Sequence, residues 1–320
     1  MSEFSLIHHY FETLTPQRED VLLGIGDDCA LLKCPHDHVV AVSIDTLVAG
    51  VHFFADVDPQ SLGYKSLAVG LSDLAAMGAT PAWFTLAITL PELETNWLKS
   101  FSQGLASLAK EHNIQLVGGD TTRGPLTISI QVHGFVDPKK ALQRSGAQLG
   151  DMIYVSGCLG DAGAALQYQL NQWDDAKLTD QDKQYLKQRL ERPTPRLSLG
   201  QSLSELASAA IDISDGLLAD LGHIVEKSGV GARIDLDKLP LSSALSKIDR
   251  KIAQGFALES GDDYELCFIV PPQNFSQVEK DLKGQVTRIG MITDDKGIYY
   301  LDKDDNLSPL IGIGYDHFAY

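Results

Sequence analysis

Six short stretches of this 320-residue chain set carboxylates among glycines, hydroxyl-bearing residues and apolar runs. They are GIGDDCA from Gly24, SIDT from Ser43, LSDL from Leu71, GGDTT from Gly118, IDISDG from Ile211 and SGDDYE from Ser260. Burying one unpaired carboxylate is costly, and doing so repeatedly is sustainable only where a metal or hydrogen-bond donors compensate. In the first stretch Gly24 and Gly26 allow a tight turn and close approach of the backbone to a ligand. Asp27 and Asp28 beside them would repel a phosphate. At about 4 Å and an effective dielectric near 20, each such pair of charges costs roughly 4 kcal/mol. A divalent cation reverses that sign, because Mg²⁺ binds through one or two carboxylates together with substrate phosphates. Taken alone, this stretch reads equally well as an acidic turn after a strand. The recurrence of the pattern favours the metal.

The length is enough for two domains, and the 44% apolar content is that of an ordinary globular protein. A net charge of -17 argues against nucleic acid or an anionic membrane as partner. It fits carboxylates partly neutralised by bound cations, with much of the acidity serving solubility at the surface. Cys29, Cys34, Cys158 and Cys267 are scattered without paired spacing and read as reduced, mostly core thiols of a cytoplasmic protein. Residues 1–10 lack the basic and apolar regions of a signal peptide, and no stretch approaches the roughly 20 apolar residues of a membrane span.

Hydrophobic periodicity predicts alternating strands and helices, hence an α/β or α+β class. In the first half the pattern predicts helices at 4–13, 64–77 and 97–112, with strands at 30–32, 39–44, 83–90, 114–117 and 126–136. Gly78 and Pro81 supply the stop after the second helix. The strand at 39–44 is expected to deliver Asp45 and Thr46 at its end. The strand at 114–117 is expected to run into a loop at 118–123, where Asp120, Thr121, Thr122 and Arg123 combine groups suited to a nucleotide and a metal. Segment 137–151 is basic and glycine-bearing without an apolar period, which places a domain boundary near Gly150. Arg144 within it is open to two readings, a phosphate clamp or an exposed linker residue. His52 is similarly open, to a structural or a functional role.

The second half is expected to hold strands at 152–155, 232–236, 266–270, 286–292 and 297–301. A glycine turn at 157–163 leads into a helix, and a polar, mostly helical insert at 167–188 reads as solvated decoration. Asp212 and Ser214 fall on one face of an extended segment, and Asp215-Gly216 starts the next helix. The chain has no P-loop, no Gly-x-Gly-x-x-Gly Rossmann turn, no His-Glu-x-x-His and no Gly-x-Ser-x-Gly elbow. A nucleotide enzyme without them must hold phosphates chiefly through metals on carboxylates.

Together GIGDDCALL (24–32), SIDTLVAGVHF (43–53), KSLAVGLSDLAAMGATP (65–81), VGGDTTRGP (117–125), AIDISDGL (210–217), SGDDYELCF (260–268) and GYDHF (314–318) resemble the thiamine-monophosphate kinases. That family lies in the superfamily shared with aminoimidazole ribonucleotide synthetase. The resemblance spans almost the whole chain. It implies a two-domain α/β (α+β) fold of the aminoimidazole ribonucleotide synthetase-like type. Residues 1–148 would bind ATP and metal and dimerise through their sheet, and residues 149–320 would form a C-terminal α/β domain. The implied activity is ATP-dependent phosphorylation of thiamine monophosphate to thiamine diphosphate, with several Mg²⁺ ions, in a homodimer.

The same resemblance implies a role for each matching residue. Asp28, Ser43, Asp45, Asp73, Asp120 and Asp212 would be metal ligands, Asp215 would serve a further metal, and Asp27 would bind directly or support its neighbours. Gly119, Asp120, Arg144 and Ser214 would contact ATP, and His52, Asp262 and Tyr315 would contact thiamine monophosphate. Asp45, Asp120 and Arg144 would carry the catalysis. Two positions depart from the family pattern. Ile44 stands where relatives often carry Thr, leaving only its carbonyl for a metal, and Asp262 is one methylene shorter than the common Glu. The competing readings are another ATP-dependent ligase or synthetase of the superfamily, and a non-catalytic nucleotide-binding module.

Overall fold

A computed structural model describes residues 10–301 and 307–310. The helix expected at 4–13 lies mostly outside the described residues. Contacts group the chain into two units, Met1–Leu74 with Ala79–Ala141, and Ala75–Gly78 with Leu142–Tyr320.

The first unit contains β1 (Val21–Leu23), β2 (Leu31–Leu32), β3 (Val39–Val48), most of α1 (Pro59–Ala76), β4 (Thr80–Leu90), α2 (Thr95–Glu111), β5 (Gln115–Arg123) and β6 (Thr127–Val136). β1 and β2 pair with each other, and the remaining strands form a four-stranded sheet in the order β3-β6-β4-β5. β4 and β5 are parallel because α2 crosses between them, whereas the other neighbours are antiparallel. Leu98, Phe101, Leu105 and Leu108 recur at helical spacing and bury one side of α2. The two helices meet backbone to backbone. A Cβ on Gly63 would lie 2.0 Å from the Phe101 carbonyl oxygen, and one on Gly104 would lie 1.8 Å from that of Gln60. At Gly70, α1 also comes close to the sheet, where a Cβ would lie 3.0 Å from the Val132 side chain. The opposite face of β3 is open, and Val40, Val42 and Ile44 are exposed there.

Two expectations change in this unit. β3 continues past Ile44 to Val48, so Asp45 and Thr46 lie inside the strand, opposite Ile130 and Ser129. Unbroken pairing with β6 satisfies the backbone whatever the side chains are. Residues 118–123 are strand rather than loop. β5 passes a bulge at Val117 and pairs with β4 as far as Arg123. Glycine permits this closeness, since a Cβ on Gly119 would lie 1.9 Å from the Leu86 carbonyl oxygen.

The second unit contains β7 (Met152–Ser156), α3 (Asp161–Gln169), α4 (Asp180–Glu191), α5 (Leu197–Leu203), β8 (Ala209–Ile213), α6 (Leu217–Ser228), β9 (Gly231–Ile234), α7 (Arg250–Glu259), β10 (Glu265–Val270), α8 (Phe275–Asp281), β11 (Val286–Thr293), β12 (Gly297–Leu301) and β13 (Leu307–Pro309). Its seven-stranded sheet runs β13-β12-β9-β11-β7-β10-β8. Leu217, Leu221 and Ile224 of α6 pack in one core with Ile153, Val155, Ile211, Ile213, Cys267 and Ile269 from the central strands and β8. The insert at 167–188 is not solvated decoration. Leu178, Leu186 and Leu190 are buried in a second cluster with Ala162, Ala165, Leu245 and Ala253, and Trp173 packs edge-on to Phe256 at 5.0 Å. A reciprocal capping box of Thr179 and Asp182 starts α4 within it. Leu178 and Leu186 within the segment, with Leu190 just beyond it, anchor a stretch whose mean composition is polar.

All four cysteines are free thiols. Cys267 is buried and Cys158 half-buried, but Cys29 and Cys34 are exposed on the thin β1–β2 region, contrary to the expected core placement. No helix among the described residues is long and apolar enough to cross a membrane.

The α1–α2 contact sets a test. In a helix interior Ala is ordinarily better than Gly by about 0.5–1 kcal/mol. Here Gly104→Ala should instead destabilise by about 1–3 kcal/mol, because the new Cβ forces the helices apart. Thermal unfolding should show a midpoint several degrees lower; an unchanged or raised midpoint would mean that the helices are not locked at this contact.

Candidate active site

Strand alternation puts Ser43, Asp45 and Leu47 on the helix-covered face of β3, and Val42, Ile44 and Thr46 on the open face. Leu47 is buried there, while Ile44 is 63% exposed. The Ile44 side chain therefore points away from the Asp45 side. Asp73 reaches the same region from α1, where its Oδ2 accepts a short hydrogen bond from the Ser43 hydroxyl. A Cβ on Gly70, one turn earlier, would lie 3.4 Å from Asp45 Oδ2. Among the described residues that buried oxygen has no hydrogen-bond partner. Burial, reinforced by the negative charge of Asp73, pushes the Asp45 carboxyl up to about 7.

The group is thus two carboxylates and a hydroxyl, one oxygen of which is buried and unsatisfied. Hard oxygen donors of this kind fit Mg²⁺. No three His, Cys, Asp or Glu side chains converge among the described residues. Mg²⁺ suits such a partial set, since it retains waters and takes substrate phosphates in the remaining positions.

The other expected residues of this unit are not gathered at that point. Asp27 and Asp28 are exposed between β1 and β2, where the Asp28 N–H donates to Asp27 Oδ1 at 2.8 Å. Strands of three and two residues put no layer over them. Asp120 is exposed, and its register aligns it with Ala87, Ser129 and Thr46. It belongs to the row one residue out of step with Asp45. His52 is half-buried, and its Nδ1 accepts the Val48 N–H at 3.0 Å, which makes Nε2 the protonated, donating ring nitrogen. The hydrogen bond is structural and fixes the tautomer of the ring.

In the second unit, Asp212 is buried on β8, the edge strand, and Ser214 and Asp215 follow in the turn to α6. The N–H groups of Ser214, Asp215 and Gly216 all donate to Oδ2 of Asp220, at 3.0, 3.1 and 3.2 Å. One carboxylate therefore fixes the whole turn. Burial pushes Asp220 up to about 7, and the charge of Asp215 adds to it; the three N–H donors oppose the shift without cancelling it. Gly216 has φ 116°, a conformation that only glycine adopts readily, so the Asp-Gly pair turns sharply into the helix.

The Ser260–Glu265 segment docks on that turn. The Asp262 N–H donates to the Ser214 carbonyl at 2.9 Å and the Tyr264 N–H to that of Ile213 at 2.8 Å. A Cβ on Gly261 would sit 2.2 Å from the Ser214 oxygen. Arg144 is exposed, and its neighbour Gln143 accepts the Ala210 N–H at 2.9 Å, which ties the segment beside β8. Tyr315 lies outside the described residues. Asp220 went unnoticed in the motif reading. Its signal is nevertheless present, an Asp at the i+3 position of the apolar face formed by Leu217, Leu221 and Ile224.

Comparison with known proteins decides the family. Residues 26–136 match the AIR synthase related protein, N-terminal domain family, and residues 148–303 match the corresponding C-terminal domain family. The thiamine-monophosphate kinase of Escherichia coli K12 is 52% identical over 99% of this chain and 98% of its own length. The chain belongs to the thiamine-monophosphate kinase family. The crystal structure of thiamine-monophosphate kinase from Stenotrophomonas maltophilia K279a superposes with a TM-score of 0.87 at 46% identity, covering 96% of this chain and 98% of that one. AaThiL complexed with AMPPCP and TMP gives a TM-score of 0.78 at 31% identity over 88% of each chain. The mixed α/β fold with N- and C-terminal AIR synthase related domains is thus the fold of thiamine-monophosphate kinases.

Asp45 yields a pH-dependent test within this family frame. The folded protein holds a proton there up to about pH 7, while the unfolded chain releases it near pH 4. Stability from this group is therefore lost as pH rises from about 4 to 7, and the cost is complete above that. Without divalent ions, Asp45→Asn should be more stable than wild type by about 1–3 kcal/mol at pH 8, with the advantage gone near pH 4. Urea unfolding at the two pH values measures it. An Asn variant equally stable or weaker at pH 8 would contradict the buried, unpaired state of Asp45.

Proposed function

We propose that this chain is a cytoplasmic, homodimeric, Mg²⁺-dependent kinase that transfers the γ-phosphoryl group of ATP to thiamine monophosphate, giving thiamine diphosphate. The observation that carries the reading is the relation to AaThiL, complexed with AMPPCP and TMP, over most of both chains. The full-length identity with the E. coli enzyme supports it independently. The open face of β3, with Val40, Val42 and Ile44 exposed, supports pairing of two sheets as the dimer contact. Four unpaired thiols suit a reducing compartment.

In this reading Asp28, Ser43, Asp45, Asp73, Asp120, Asp212 and Asp215 hold the metals, with Asp27 beside them. Bound Mg²⁺ would neutralise charge between the two phosphate-bearing substrates. Asp45 favours this most strongly, because its unsatisfied oxygen asks for a cation. Gly119 and Asp120 offer β5 to the nucleotide, Ser214 offers a hydroxyl from the turn braced by Asp220, and the planar Arg144 guanidinium can grip a phosphate through two parallel hydrogen bonds. His52, Asp262 and Tyr315 are assigned to recognition of the acceptor, thiamine monophosphate. The nucleophile is a phosphate oxygen. With a second pKa of about 6, that phosphate is mostly dianionic near pH 7. No general base is needed, and the chain's task is positioning and charge compensation.

³¹P NMR of the protein with ATP, Mg²⁺ and thiamine monophosphate should show new diphosphate signals, and none with thiamine in its place. ATP consumption without that product would point to a ligase, and no consumption at all to a binding module. Asp45→Asn and Asp120→Asn should lower kcat by at least about 10²-fold while the proteins remain folded; near-normal turnover in either would remove it from the metal set. With ATP chiral at the γ-phosphorus, direct in-line transfer inverts configuration, and net retention would require a phospho-enzyme instead.

A further inference from the structure

Helix α4, the ordered core of the polar insert, sends Arg189 beneath the Ser260–Glu265 segment. Its Nη2 donates to Glu265 Oε1 at 2.9 Å and to the Asp263 carbonyl oxygen at 3.3 Å. Glu265 is fully buried and also accepts from Arg196 Nε at 2.6 Å and from the Ser156 hydroxyl. Asp161, equally buried, accepts from Ser242 at 2.6 Å and Tyr185 at 2.9 Å, and lies 3.9 Å from Arg189 Nε. Asp263 takes the Gly160 N–H at 2.7 Å on one oxygen and has no partner on the other. These groups surround the base of one short turn. None of them was singled out as a ligand of substrate or metal.

The turn they surround is strained. Asp262 and Tyr264 adopt φ values of +67° and +50°, the left-handed region that is unfavourable for a residue with a side chain. Aspartate tolerates that conformation better than most residues, whereas tyrosine does not. Such a backbone persists only when its surroundings over-determine it. From above, the Ser214 and Ile213 carbonyls hold it through the Asp262 and Tyr264 N–H groups. From below, Arg189 grips the carbonyl of Asp263, the residue between the two strained ones, and the carboxylate of Glu265, the next after them.

We infer that Arg189 is a positioning residue for the acceptor-binding turn, and that the insert at 167–188 is the arm that delivers it. The inference deepens the kinase reading and rests on its assignment of Asp262 to thiamine monophosphate. Arg189 touches no substrate in this account. It acts by keeping Asp262 in the one backbone conformation that aims its carboxylate. Loss of the guanidinium leaves Glu265 paired with Arg196, and Asp161 keeps the Ser242 and Tyr185 hydroxyl donors.

Steady-state kinetics on Arg189→Met and Arg189→Lys, with KM measured separately for each substrate, tests this. Arg189→Met should raise KM for thiamine monophosphate roughly tenfold or more and leave KM for ATP within about twofold, since the turn is displaced but Ser214 remains braced by Asp220. Arg189→Lys should recover part of the loss. If Arg189→Met does not fold, the same split, smaller, is expected of Arg189→Lys. Unchanged KM values, or both rising together with a lowered melting temperature, would overturn the positioning role. Wild-type protein with no transfer to thiamine monophosphate overturns the kinase reading and this inference with it; active wild type with unaltered variants overturns this inference alone.

Discussion

The unsatisfied carboxylate oxygen of Asp45 is the constraint on which the rest of the first unit depends. A sheet strand covered by a helix ordinarily presents apolar residues to it, as Leu47 does on the same face. This strand presents Ser43 and Asp45 instead, and α1 adds Asp73. Gly70 lets the helix come close enough to exclude water from Asp45 Oδ2. The protein thereby holds a negative charge where it is disfavoured, and the result is a carboxyl raised to about 7. Such an arrangement lowers the stability of the free protein and raises its affinity for a cation, because the cation relieves both burial and repulsion.

The second unit solves the opposite problem. There two buried acids, Asp220 and Glu265, are surrounded by donors. Asp220 collects three backbone N–H groups, and Glu265 collects two arginines and a serine hydroxyl. These interactions hold two adjoining turns, Ser214–Gly216 and Ser260–Tyr264, against each other through backbone hydrogen bonds. Rigid turns of this kind suit phosphate transfer, in which the catalyst contributes position and charge and little covalent chemistry.

Much of this was legible in the sequence. Apolar, β-branched runs located nearly every central strand, and the glycine-acid motifs pointed to the family. What remained hidden had physical reasons. The continuation of β3 through Asp45 and of β5 through Asp120 depends on pairing partners distant in sequence, which override local polarity. The row of Asp120, out of step with Asp45, follows from a bulge at Val117 that no local pattern announces. The packing of the insert depends on a few apolar residues, Leu178 and Leu186 with Trp173, diluted among charged ones. Arg189 could not be told from the surface arginines around it, because its partner Glu265 lies 76 positions away.

The central claim is that Asp45 is a buried carboxyl kept in readiness for a divalent cation. Its titration can be followed directly by ¹³C NMR of the labelled carboxyl, assigned with Asp45→Asn, in the absence and presence of Mg²⁺. The account predicts a midpoint near 7 without Mg²⁺ and a clear downward displacement when Mg²⁺ is added. A carboxyl that titrates in the ordinary aspartate range and ignores Mg²⁺ would contradict it.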